Sequence, residues 1–226
     1  MQEFDKFAKN YDTSLDDILQ SSVGTSSDYF AKYKVNIVHQ KLQKKQKLNI
    51  LDFGCGVGKN TFFLEKLFSS SNIYGIDVSE ASIEIAKKQN NRCEFISYDG
   101  LNINFEDNFF DIIFISNVFH HIDHSLHKNI LASLKNKLSK NGLIFFFEHN
   151  TLNPVTLKIV NECEFDKDAK LLNFWYAKNI FKDAGFNSIK TNFILFIPPS
   201  FKSLLFLEKY LKWLPFGGQY YIIAEK

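Results

Sequence analysis

Little in this chain acts as a covalent or conformational staple. Three cysteines, Cys55, Cys93 and Cys163, are spread over 226 residues. They are too few and too scattered for a disulfide scaffold or a zinc knot, and their odd number fits a reducing compartment, so the cytoplasm is the expected location. Four prolines and ten glycines exclude collagen-like and low-complexity architectures. Neither charge dominates: 27 Lys and Arg stand against 25 Asp and Glu, a formal net charge of +2. That near balance argues against a large nucleic-acid-binding surface. No apolar run approaches the ~18 residues of a membrane span. The first residues, MQEFDKFAKN, mix charged and apolar types and lack the apolar core of a signal peptide. What is present is an ordinary globular composition, 45% hydrophobic and 23% charged, in a chain long enough to bury a self-sufficient core.

Apolar runs alternate with helical patterns, the signature of a parallel α/β sheet. Strands are expected at Leu48 to Phe53, Ile73 to Ile76 ending at Asp77, Glu94 to Tyr98 ending at Asp99, Asp111 to Ser116, and Leu143 to Phe147, the last after a turn at Lys140-Asn141-Gly142. The segment before Lys47 reads as helical, with Phe30, Tyr33 and Ile37 on an inner face behind a Ser26 or Ser27 cap. Ser79 is placed to cap the helix after the second strand. Beyond Glu148 a helix from Tyr176 to Ala184 is stopped by Gly185. An extended run from Phe186 to Ile197 is broken by Pro198-Pro199. An amphipathic helix is expected from Phe201 to Leu214, and a closing strand from Gln219 to Ala224. The two late strands predict an antiparallel hairpin at the sheet edge, with the excursion between them as a cap.

The strongest local signal is LDFGCGVGKN, residues 51–60, between a buried strand and a helix. Gly54, Gly56 and Gly58 allow a sharp turn and close approach of a ligand, and the helix start offers amides to an anion. Asp77 ends the next strand 19 residues after Gly58, where a carboxylate can take both hydroxyls of a ribose. The dinucleotide fingerprint G-x-G-x-x-G is not met, because Lys59 stands where its third glycine belongs. No G-K-[ST] follows either, which excludes a P-loop.

With this loop, YGID at 74–77, ISYDG at 96–100, DIIFISNVFHHI at 111–122 and LSKNGLIFFFE at 138–148, the chain resembles the class I S-adenosylmethionine-dependent methyltransferases across residues 48–148. The resemblance implies a three-layer Rossmann-like α/β sandwich whose seven-stranded, mostly parallel sheet has one antiparallel strand near the edge. It implies one domain over 1–226, with a helical cap at 1–47, a cofactor-binding core at 48–148 and an acceptor side at 149–226. S-adenosylmethionine is the implied cofactor. Gly54, Cys55 and Gly56 would approach its methionine moiety, with Asp52 supporting the ammonium directly or through water. Asp77 would hold the ribose, Val78 would pack on the adenine, and Asp99, with Gly100 alongside, would accept from the adenine amino group. Asn117 would lie near the methionine end, and Tyr11 would cover the cofactor, where an aromatic face attracts a sulfonium.

Methyl transfer is an in-line displacement for which the protein supplies orientation and electrostatics. A base is required only if the acceptor must lose a proton. The candidates are His120, His121, Glu148 and His149, all just past the C-terminal ends of strands four and five, where ligands bind in open α/β sheets; Glu148, His149 and His120 stand first. Four of the six histidines fall in HHIDHSLH. Helical spacing would pair His120 with His124 and His124 with His127, but no rigid third ligand is evident, so no metal is expected. The apolar excursion at 198–218 suggests an enclosed pocket for a small-molecule acceptor in a monomer or homodimer, without nucleic acid or stable membrane insertion. A non-catalytic cofactor-binding protein on the same fold is the competing reading.

Overall fold

The computed structural model describes residue 5, residues 11–42 and residues 47–226, side chains at 11–14 excepted. Two helices, α1 (Tyr11–Val23) and α2 (Ser27–Leu42), precede an alternating run of β1 (Asn49–Phe53), α3 (Lys59–Leu67), β2 (Asn72–Asp77), α4 (Glu80–Gln89) and β3 (Glu94–Ser97). There follow β4 (Phe110–Ser116), α5 (His124–Lys137), β5 (Leu138–His149), α6 (Pro154–Glu162), α7 (Phe174–Asp183), β6 (Ser188–Ile194), the one-turn α8 (Glu208–Leu211) and β7 (Gln219–Glu225). The sheet order is β3-β2-β1-β4-β5-β7-β6. All pairs are parallel except those of β7, which runs antiparallel to both β5 and β6. The expected fold class and the late hairpin are therefore present, with β7 inserted beside β5 and β6 on the edge.

Alternation along the central strands builds the layers. Ile113 and Ile115 of β4, with Ile144 and Phe146 of β5, point to one face, where Leu131 and Leu134 of α5 and Ala177 and Phe181 of α7 cover them. Ile112, Phe114, Phe145 and Phe147 point to the other face, against Val35 and Val38 of α2 and Leu64 of α3. The near-continuous apolar runs are what a strand buried on both faces requires. Each such side chain contributes about 1.5–3 kcal/mol on full burial.

Three elements depart from expectation. The inner face of α2 is Ala31, Lys34, Val35, Val38 and Leu42, while Tyr33 and Ile37 are only partly buried. The expected turn at 140–142 lies within β5, as an irregularity between the Phe110–Leu138 and Ile112–Leu143 pairs. The expected helix from Phe201 to Leu214 is instead a 3-10 segment (Lys202–Leu207) followed by α8.

The last difference has a polar cause. Glu208 turns inward and is buried, and its carboxylate accepts from the amides of Leu195 (3.2 Å), Phe196 (2.7 Å) and Ile197 (3.0 Å) and from the Tyr33 hydroxyl (3.3 Å). Those amides follow β6, where Leu195 takes a positive φ of 63° and ends the strand. One carboxylate thus ties the excursion to both the sheet edge and α2. Replacing Glu208 by Leu leaves these donors without an acceptor, a cost of about 2–3 kcal/mol. For a chain of this size the unfolding midpoint falls by roughly 4–10 °C. A midpoint within about 1 °C of wild type would remove Glu208 from the anchoring role.

Candidate functional site

The C-terminal ends of β1, β2, β4 and β5 open on one cavity of about 510 Å³. Its floor at one end is the glycine loop after β1. The loop is folded back by Gly54 and Cys55, whose amides donate to the Ile76 carbonyl at 2.8 and 3.0 Å. Gly56 has a φ of +52° and open space where a Cβ would stand, so its backbone faces the cavity bare. Gly58 serves packing: at φ +84°, an added Cβ would lie 3.0 Å from the Ala86 Cβ on α4. Lys59, in place of the third glycine of a dinucleotide loop, bonds the Ser27 hydroxyl and pairs with Asp28 at 3.4 Å.

Asp77 closes this end. Its carboxylate accepts from the Gly56 amide at 2.8 Å and the Ser79 amide at 2.9 Å, and burial raises its pKa against the pull of those amides. Ser79 caps α4 as expected, accepting from the Ser82 amide. Cys55, Val78, Gly100 and Asn117 also line the cavity. Asn117 sits at φ 56°, with a buried side-chain oxygen that has no partner.

Three expected residues stand elsewhere. Asp52 is buried beneath the loop, away from the cavity wall. One of its oxygens accepts from the Thr61 hydroxyl at 2.6 Å, and the other has no partner. Asp99 is turned into its own loop, accepting from the amides of Leu101 and Asn102 at 2.8 and 2.7 Å; those bonds lower its pKa and leave Gly100, not Asp99, on the wall. Glu148 is fully buried and stands behind the wall rather than on it. The side chain of Tyr11 lies outside the described residues.

The opposite end is a wall of imidazoles. Oε2 of Glu148 meets Nδ1 of His120 at 2.6 Å, while Oε1 accepts from the Phe119 amide at 2.9 Å. Burial opposes the charged form of His120, but Glu148 and Asp166 outweigh it and hold the pKa at about 9. The same pairing lowers Glu148 despite its burial. His149 is pushed down to about 4, by burial first and by His120 second. The residues after it are structural: Asn150 donates to the carbonyls of Pro215 and Gly217 (2.9 and 2.7 Å), and Asn153 caps α6 and donates to Phe216. His124 and His127 turn away to Tyr176.

Two residues of the wall were missed as site candidates. Lys34 is buried on α2 and donates to the Ser116 hydroxyl at 2.8 Å, with burial lowering its pKa to about 8. Asp166 ends the 3-10 turn Glu164–Asp166, in a segment whose sequence suggests a pocket wall but gives its carboxylate no role. Each of the two reaches the site only through folding.

Residues 50–142 match a family model described as a methyltransferase domain. Over that stretch, which is less than half of the chain, the sequence is similar to a methyltransferase domain. A malonyl-[acyl-carrier protein] O-methyltransferase of Bacillus cereus is 29% identical over 125 residues, covering 54% of this chain and 45% of that protein. An S-adenosylmethionine-dependent methyltransferase of Thermotoga maritima superposes with a TM-score of 0.70 at 18% identity, covering 100% of both chains. Phosphoethanolamine N-methyltransferase 2 of Haemonchus contortus, solved with S-adenosyl-L-methionine, gives a TM-score of 0.65 at 19% identity, over 99% of this chain and 60% of that one. At these identities the structural likeness is one of fold. The chain spans about half the length of the first curated relatives it matches, at 43%, 45% and 55%.

The residues present fit the methyltransferase cofactor. The bare backbone at Gly56 and the residue Asn117 line the space a methionine moiety needs. Asp77 keeps carboxylate lone pairs beyond those its two amides use.

Asp52 carries a separate, testable property. Burial raises its pKa to about 7, so in the cofactor-free protein it favours folding below its unfolded value of about 3.9 and loses that advantage as pH rises through about 7. Asp52→Asn therefore gains stability relative to wild type between pH 5 and pH 8. Parallel thermal unfolding at the two pH values checks this; a pH-independent difference would contradict the buried, neutral carboxylate.

Proposed function

We propose that this chain transfers a methyl group from S-adenosylmethionine to a small-molecule acceptor, in the cytoplasm and without nucleic acid. The observation that supports it is one continuous cavity joining the Gly54–Gly56 loop and Asp77 to the histidine wall. When bound, the cofactor supplies a methyl group already activated on a sulfonium. Asp77 holds the ribose hydroxyls and, through its bonds to Gly56 and Ser79, keeps the loop in shape for the methionine end. Asn117 lines the same end.

The acceptor occupies the other end. His120 orients a hydroxyl or amine, and His149, whose imidazole is held neutral, receives its proton. Glu148 acts from behind, fixing the orientation of the His120 ring and favouring its charged form, as a carboxylate on the far nitrogen does. Between the ends, Leu19, Phe30, Ile159, Phe165 and Phe196 line the cavity. An acceptor with an apolar body and one polar, methylatable atom suits this lining. The exposed aromatics Phe201, Phe206, Trp213 and Phe216 leave oligomerisation as monomer or homodimer.

Calorimetric titration with S-adenosylhomocysteine tests the cofactor end. Wild type binds it with one site, and Asp77→Ala loses about 1.5–3 kcal/mol, or roughly 10- to 150-fold in affinity, through the loss of charged hydrogen bonds. Equal affinity in the two proteins would mean that the ribose lies elsewhere. Glu148→Gln binds the same ligand within about threefold, a difference of less than ~1 kcal/mol, because its carboxylate lies at the acceptor end.

A further inference from the structure

Three potential ligand atoms converge at one point of the histidine wall. Nε2 of His120 and Nε2 of His121 lie 3.0 Å apart. Oδ1 of Asp166 lies 3.4 Å from each of them. All three residues line the cavity, and they are largely withdrawn from solvent, with side-chain exposures of 1%, 14% and 11%.

In the absence of a cation, Asp166 accepts from the two imidazoles, and the raised pKa of His120 reflects its pairing with Glu148 and this one with Asp166. The same three atoms, once the two Nε2 protons are released, form a donor set of two nitrogens and one oxygen. A cation satisfies all three at once. Bonds of about 2.0–2.2 Å from zinc to imidazole nitrogen and carboxylate oxygen set tetrahedral ligand–ligand edges of about 3.3–3.5 Å, and the observed edges are 3.0, 3.4 and 3.4 Å. The surroundings match as well. A metal-bound histidine usually gives its other ring N–H to a carboxylate, which fixes the ring and raises its basicity; Glu148 stands in that position at 2.6 Å from Nδ1 of His120.

We propose that Nε2 of His120, Nε2 of His121 and Oδ1 of Asp166 bind a divalent first-row transition metal, with zinc the best match, leaving an open coordination position toward the cavity. Two imidazoles and one carboxylate suit such a metal and not calcium or magnesium. Three protein ligands with one position open is the arrangement of catalytic rather than structural zinc. The trio shares only His120 with the His120–His124 and His124–His127 pairs that helical spacing suggests, since His124 and His127 turn toward Tyr176. The consequence for catalysis rests on the proposed methyl transfer, whereas metal binding does not. An acceptor hydroxyl at the open position forms a metal–oxygen bond and breaks its O–H bond, the proton passing to His149, while His120 serves as a ligand.

The test is calorimetric titration of chelator-treated full-length protein with zinc chloride alone, alongside S-adenosylhomocysteine titrations of the same samples. Wild type binds one zinc per chain. Asp166→Asn and His121→Ala each lose at least about 100-fold in zinc affinity, the upper range for disturbing a ligand shell. His124→Ala binds zinc as wild type does, and all three variants bind S-adenosylhomocysteine within about threefold of wild type, a difference of less than ~1 kcal/mol, showing that they are folded. Cobalt in place of zinc reports the site independently, through the intense visible bands of tetrahedral coordination in wild type and their loss in Asp166→Asn. No saturable zinc binding by wild type, or equal binding by wild type and Asp166→Asn, would overturn the proposal and leave Asp166 paired with the two imidazoles. Failure to bind S-adenosylhomocysteine with zinc binding intact would instead contradict the methyltransferase reading alone.

Discussion

The site depends on a carboxylate that never touches the cavity. Glu148 closes the last buried step of β5 with no exposure and is held from two directions, by the Phe119 amide and by Nδ1 of His120. A lone charge there would be untenable, since breaking a buried pair by removing one partner costs about 3–5 kcal/mol. The pair therefore fixes more than a histidine. It sets the course of the chain after β4, where Asn117 at positive φ donates its amide to the Phe147 carbonyl at 2.9 Å. It thereby places His120, His121 and Asn117 along one rim of the cavity.

The other rim rests on the same device, a strand-terminal acid receiving amides from the next turn. Asp77 joins the glycine loop to the start of α4 through Gly56 and Ser79. Two strands that are neighbours of β1 and β4 thus each end in a carboxylate that organises a loop. The sheet twist carries these loops to the two ends of one cavity, as expected at the C-terminal edge of an open α/β sheet. The loops differ in what they expose. At β2 the acid itself is on the wall, whereas at β5 it is covered and its histidine partner is presented.

The core was legible because its determinants are local and periodic. Runs such as DIIFIS and LIFFF need burial on both faces, and GCGVG and Ser79 are short-range turn and cap chemistry. The departures came where a long-range polar contact decides. The excursion at 198–218 has an amphipathic pattern, but Glu208 faces inward to serve three amides of the chain after β6, and no window of sequence contains both partners. Lys34 was hidden for the same reason: on α2 it reads as a solvated lysine, and only the fold brings it to Ser116. Asp99 shows the reverse case, a residue with the right neighbours in sequence whose side chain satisfies its own loop. In the histidine-rich stretch helical spacing pairs His124 with His127, whose rings lie 5.0 Å apart, but not His120 with His124, because the 3-10 turn Phe119–His121 takes His120 out of that helical register.

The two-ended cavity is the central claim, and a crystal structure of the protein with S-adenosylhomocysteine tests it most directly. The account predicts both ribose hydroxyls within hydrogen-bond distance, roughly 2.6–3.2 Å, of the Asp77 carboxylate. It also predicts the homocysteine amino-acid end over Gly54–Gly56, and the sulfur directed toward the open space before His120 and His149. A ligand whose ribose lies away from Asp77, or whose sulfur faces away from the histidine wall, would contradict it.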